Sequence, residues 1–256
     1  FRSQGKYQIT DNVTITSEAL YNRRESAQFL APTPLFIGDW GGGYGASDTP
    51  IGIGGDNPYN PYGYDLTPGY SYSGGLWFLG RRMVEQGNRK FQQTNDTYYY
   101  NLGLEGFIDV GNGWDWSVSY AFNQNDQLTV TEGLFHMDNV RQALSNECVT
   151  DPNCVPLNLF GGAGTITQEM LDYVTFIGHN NSQTKLLTYD AIVSTELAEL
   201  PAGPLGFALG YEHRRHSGFT QPDALVVSGV TSGNASNPTN GSYLVDEFFA
   251  EFNVPL

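Results

Sequence analysis

Apolar and polar residues alternate along long stretches of the chain. Trp114, Trp116, Val118, Tyr120 and Phe122 share one side of an extended backbone, opposite Asp115, Ser117, Ser119, Ala121 and Asn123. A period of two is the mark of a β-strand with two unlike faces. The pattern recurs with Tyr98, Tyr100, Leu102, Leu104 and Ile108 on one side. It recurs again with Leu187, Tyr189, Ala191, Val193 and Leu197, with Leu205, Phe207, Leu209 and Tyr211, and with Phe248, Ala250, Phe252 and Val254. A weaker version opens the chain, where Val13, Ile15, Ala19 and Tyr21 face one way. The opposite sides carry small residues and acids: Glu18, Glu105, Asp115, Asp190, Glu196, Glu247 and Glu251. The patterning predicts six strands, at 7–22, 78–108 (bent near Gly87), 114–131, 185–199, 205–216 and 243–255.

The connections between these strands alternate in length. Asp109 to Gly113 and Leu200 to Pro204 are short, Gly- and Pro-marked turns. The other three, at 24–77, 133–183 and 217–242, exceed the length that compact domains leave without structure or function. Two short helices are expected in the second of these, after Asp138 and after a Thr167 cap. Short turns on one side and long loops on the other is the arrangement of outer-membrane barrels. The apolar face that starts at Trp114 turns polar at Gln124, and about nine to eleven tilted residues span a bilayer. Trp114 and Trp116, beside a short turn, sit where an interfacial aromatic girdle belongs. No apolar run is long enough for a transmembrane helix.

Composition agrees with a strand- and loop-rich protein: of 256 residues, 31 are Gly, 16 Tyr and 15 Phe, and only 15% are charged. A net charge of −15 removes the basic footprint that nucleic-acid binding needs. Cys148 and Cys154 are too few for a zinc site and close enough for a local disulfide, which implies an oxidising compartment. The chain has no phosphate loop, no Gly-x-Ser-x-Gly, no His-Glu-x-x-His and no calcium loop. The reading is therefore of a protein that is not an enzyme, with no catalytic residues, no metal and no cofactor. In "HRRH", His213 and His216 point to opposite faces and make a poor metal pair, although the segment could meet anionic lipopolysaccharide.

Several segments together resemble the β-barrel portion of TonB-dependent outer-membrane receptors. They are "YQITDNVTITSEALYNRRES", "DNPYNPYG", "RRMVEQGNRKF" with "DTYYYNLGLEGFID", "CVPLNLFGGAGTITQEMLDYVTF", "ELPAGPLGFALGYEHRR", "PDALVVSG" and "VDEFFAEFNVPL". They run across nearly all of residues 1–256, which read as one part of the barrel domain. The resemblance implies an all-β, antiparallel, up-and-down transmembrane barrel of 22 strands, of which about six are expected here. It also implies a location in the outer membrane of a Gram-negative bacterium and energised import of a nutrient ligand. Its partners would be membrane lipid and lipopolysaccharide, a plug domain of the same protein, the TonB complex and a small nutrient of unknown identity. The sequence departs from the family in lacking the plug, the TonB box and a terminal aromatic residue, so the expectation is a piece of a larger protein.

The first long loop holds Trp40, Tyr44, Tyr59, Tyr62, Tyr64, Tyr70 and Tyr72 among many glycines. Such aromatics suit stacking on sugars or flat ligands at an external mouth, or equally a self-packed loop. The Asn-Pro pairs of "DNPYNPYG" also read as turn residues. The acids of the polar faces could line a transport path or pair with a plug. A secreted β-sandwich that binds carbohydrate is the alternative from another class. It would bury the aromatic faces that a barrel turns to lipid. A passive porin-like channel differs from the receptor only in lacking a plug.

Overall fold

The computed structural model describes residues 1–39, 50–69 and 74–255. It is mostly antiparallel β-structure organised around one large sheet. In chain order the strands are β1 (Arg2–Thr10), β2 (Val13–Leu30), β3 (Pro34–Ile37), β4 (Thr67–Pro68), β5 (Gly75–Leu76), β6 (Leu79–Arg82), β7 (Arg89–Ile108), β8 (Trp114–Phe135), β9 (Thr175–Leu200), β10 (Gly203–Gln221) and β11 (Thr239–Asn253). The helices are α1 (Met137–Leu144), α2 (Gln168–Val174) and α3 (Ala224–Ser228). The large sheet has the order β1-β2-β7-β8-β9-β10-β11, so each strand lies beside its neighbour in sequence once the small strands β3 to β6 are set aside. Every pairing in it is antiparallel.

The register aligns like with like. One row of partners crosses all seven strands as Tyr7, Ile15, Leu104, Val118, Ala191, Tyr211 and Phe248. The adjacent row, on the opposite face, reads Lys6, Thr16, Gly103, Ser119, Asp190, Glu212 and Glu247. A slip of one residue would carry a strand's apolar set to the polar face and its polar or small set to the apolar face. The two faces therefore fix the register without help from the turns.

The core is elsewhere. Its buried side chains come from the loops at one end of the sheet: Leu35, Ile37, Ile51, Ile53, Leu66, Leu76 and Met83 from the first, and Met137, Val140, Leu144, Leu157, Met170, Leu171 and Val174 from the second or its edge. Of the large sheet only Phe135, the last residue of β8, joins them. No second large sheet accompanies the first among the described residues. Its apolar face stays open, with Tyr7 71% and Phe248 79% exposed.

The segment 7–22 is not one strand. It turns at Asp11 and Asn12 and belongs to the β1–β2 hairpin, which raises the large sheet from six strands to seven. The segment 78–108 does not merely bend near Gly87. The chain closes a short 3-10 turn at Val84–Gln86, and β6 and β7 join different sheets. Most strands also run further than the alternation of apolar residues, so the second and third long loops shrink to 136–174 and 222–238, while the first shifts along the chain to 31–88. Past Phe122 both faces become polar, yet backbone pairing continues, for example at Asn125↔Thr184 and Gln127↔Ser182. At the end of β8, Gly133 (φ 92°) takes a bulge that L-residues with side chains avoid.

The expected helices form. The Thr167 hydroxyl accepts from the Met170 N–H and starts α2. Helix α3 was not foreseen, although Asp223 caps it by accepting from the Leu225 N–H. Among the described residues no helix is long and apolar enough to cross a membrane.

Candidate functional site

The loops at the far end of the sheet form one packed body because polar clasps join them. Arg81, after β6 begins, donates to the carbonyls of Asn158 (2.7 Å), Gly161 (2.8 Å) and Gly162 (2.9 Å) and to the Glu85 carboxylate (2.8 Å). The same carboxylate oxygen accepts from the Gly164 N–H at 2.7 Å. Burial alone would push the Glu85 carboxyl up. The backbone N–H groups of Glu85, Gly164 and Ile166 and the Arg81 charge outweigh it, and the group sits below the usual carboxylate range.

A second clasp uses Asp65 and Asn146. The Asn146 amide and the Gly55 N–H both donate to Asp65 Oδ1, and Asn146 Oδ1 accepts from the Asp56 N–H. The Asn146 side chain and then the Gly55 N–H hold the Asp65 carboxyl below its ordinary value. Gly54 is essential to this approach, since a Cβ there would lie 2.2 Å from Asn146 Oδ1. Cys148 and Cys154 form the expected disulfide, with Cα atoms 5.2 Å apart, in the segment that follows Asn146.

The run "DNPYNPYG" is a pair of side-chain-capped turns. Asn57 accepts from the Tyr59 N–H and Asn60 from the Tyr62 N–H, both at 3.0 Å. Buried Asn57 also donates to the Ala143 carbonyl, so the turn is docked on α1. Tyr62 lies between Tyr64 (ring centroids 5.9 Å apart) and Phe160 of the second loop (6.0 Å), and Tyr59, Tyr62 and Tyr64 all keep exposed ring surface. Trp40, Tyr44, Tyr70 and Tyr72 lie outside the described residues.

Trp114 and Trp116 begin β8 on the apolar face, next to the turn at 109–113, and the Trp116 ring lies against Gly106 of β7. The acids of the polar face are partly neutralised within the sheet: Glu18 by Arg2, Glu105 by Lys6, and Glu247 by Arg214. Asp190 accepts from the Ser119 hydroxyl. Asp115, with Glu105 on one side and Glu196 and Glu251 on the other, lines two neighbouring clefts of about 400 and 600 Å³ at the short-turn end. His213 pairs with Asp246 while His216 stacks on Tyr243, so the two histidines do diverge. No cluster of His, Cys, Asp and Glu among the described residues could hold a metal ion.

Among the described residues the arrangement offers exposed aromatic surface and two acid-lined clefts. The sequence shows little of the two clasps, because Arg81 and Asn146 reach partners some 80 residues away, several of them loop carbonyls and amides. No family model matches the chain, and no match is found among curated proteins or solved structures.

Proposed function

We propose that the chain is part of the wall and outer loops of a TonB-dependent outer-membrane receptor, which captures a small nutrient at the loops and imports it with energy coupled through TonB. The observation that carries this reading is the pairing of an open apolar row, Tyr7 to Phe248, with a polar row behind it on a single sheet. Water does not favour that apolar face; a bilayer does. From Trp114 to Phe122 a strand covers ~27 Å, and a tilt of about 40° makes that ~21 Å of membrane height, near the ~25 Å apolar band of such barrels.

In this reading the rows around Val118 meet lipid and those around Ser119 face the lumen. The packed loop body stands outside the cell and the turns at 11–12, 109–113 and 201–202 face the periplasm. Among the described residues the outer edges of β1 and β11 have no partner strand, and unpaired backbone in hydrocarbon costs several kcal/mol per group. The reading therefore requires further strands of the same barrel against both edges. The energised step rests on the resemblance of the segments quoted above to TonB-dependent receptors.

Spin labels at Val118 and Ser119 test the orientation. In membranes, the label at 118 should be quenched by oxygen dissolved in lipid and the label at 119 by a water-soluble nickel chelate. Equal protection of both positions, in a protein that stays dissolved without detergent, would replace the barrel with a buried sheet. Uptake that persists after collapse of the proton-motive force would favour a passive channel.

A further inference from the structure

We infer that the cavity beneath the third loop is a binding site for a small amphipathic carboxylate, such as a monocyclic aromatic acid. The cavity measures about 270 Å³, below the ~300–1,000 Å³ of sites for drug-sized ligands, so it suits something smaller. Its walls are largely apolar, made by Leu30 of β2, Phe91 of β7, Leu134 of β8 and Val226 of α3. Leu30 and Phe91 remain 41% and 42% exposed there, on the same face of the sheet as Glu18 and Glu105. The third loop that roofs the cavity is anchored: Met137 N–H donates to Val230 O, Ser232 N–H to Phe135 O, and the Ser232 hydroxyl accepts from Phe135 N–H. The cavity is thus a fixed feature of the loop body.

Arg89 supplies the charge. Its Nε donates to the Ala31 carbonyl at 3.0 Å, and its two terminal nitrogens have no partner among the described residues. Acids outnumber bases 27 to 12 in this chain, and most cations have taken one. Arg2, Lys6, Arg23, Arg81, Lys90, Arg141 and Arg214 all do. Arg89 has none and is held by a backbone carbonyl at the cavity wall, leaving a planar fork that matches a carboxylate in two parallel hydrogen bonds. Thr131 and Asn180 add neutral hydrogen-bonding groups to the same wall. An apolar body with one anionic end satisfies both halves of the lining. A neutral analogue leaves the guanidinium unanswered, and a hydrophilic anion leaves the apolar wall unfilled.

This site does not depend on the transport reading and would stand if the sheet proved to be soluble. The test is ligand-observed NMR with benzoate against benzamide, on the full protein in detergent. Benzoate should bind and benzamide should not. Arg89→Gln should weaken benzoate at least tenfold, and Leu134→Trp should abolish binding by filling the cavity. Leu134→Trp also covers the case in which the Arg89 variant misfolds. Equal binding of benzamide, binding that survives Leu134→Trp, or no saturable benzoate signal with the native protein would each overturn the assignment.

Discussion

The Arg81 guanidinium and the Glu85 carboxylate meet at 2.8 Å with both side chains only 10% exposed. The pair does more than neutralise itself, because each member also holds the turn at 158–166 from the second loop. Removing one partner strands the other in a nearly buried place. Arg81→Ala is expected to cost about 3 kcal/mol or more. The loss should be local: hydrogen exchange in peptides covering 158–166 should accelerate while the paired strands β7 to β10 stay protected. Arg81→Lys should recover little, since an ammonium cannot reach three carbonyls and a carboxylate in a fixed fan. Unchanged exchange in Arg81→Ala would mean the apolar loop core alone holds the two loops together.

The same contacts make the loop body sensitive to acid. Glu85 and Asp65 are both held below their ordinary values, so their folded forms bind protons less readily than the unfolded chain does. Their stabilisation is complete above the ordinary carboxylate values of about 4 and is lost as the pH falls through the lower folded values. Loop protection should be flat on going from pH 7 to 5 and should fall below about pH 4. Glu85→Gln should flatten part of that acid response. Loss of protection already near pH 6 would instead show that these two carboxylates do not govern the acid response of the loop body.

The disulfide should contribute modestly. Cys148 and Cys154 are separated by six positions, and closing so small a ring stabilises by about 2 kcal/mol. Replacing both with Ser should lower the stability of the loop body by that amount and leave the sheet intact. A larger loss would show that buried Cys148 also matters as packing against α1 and its turn. Thermal unfolding with and without reductant separates the two.

The faces of the sheet were readable from the sequence because every residue between Trp114 and Phe122 except Ala121 states its side by its chemistry. Strand ends were not. Beyond Phe122, Asn123, Gln124, Asn125 and Asp126 carry the same polar character to both faces, and backbone pairing with β7 and β9, helped by side-chain bonds from Asn125 to Thr97 and from Gln183 to Asp126, keeps them extended. The β1–β2 turn was missed because Tyr7 and Ile15, which face each other across it, keep the period of two as though the strand never reversed. The clasps were hidden for a different reason. Arg81 binds carbonyls, which every residue has, so no residue type at 158–162 announces the contact. Gly54 could have raised suspicion, yet its partner Asn146 is known only once the loops are folded.

The sharpest consequence of the proposed membrane orientation is an asymmetry between neighbouring residues. Val118 and Ser119 occupy adjacent rows on opposite faces, midway along the apolar stretch of β8. An arginine at Val118 would place a cation in the hydrocarbon near the bilayer midplane, at a cost of about 2–4 kcal/mol. An arginine at Ser119 would enter the polar row beside Asp190, which accepts from the Ser119 hydroxyl, and should be close to neutral. Reversible unfolding from lipid vesicles should therefore give a large loss for Val118→Arg and little for Ser119→Arg. Reversal of that order would place the lipid on the other face. Equal large losses would mean that both faces are covered by protein, which no single-layered barrel wall allows.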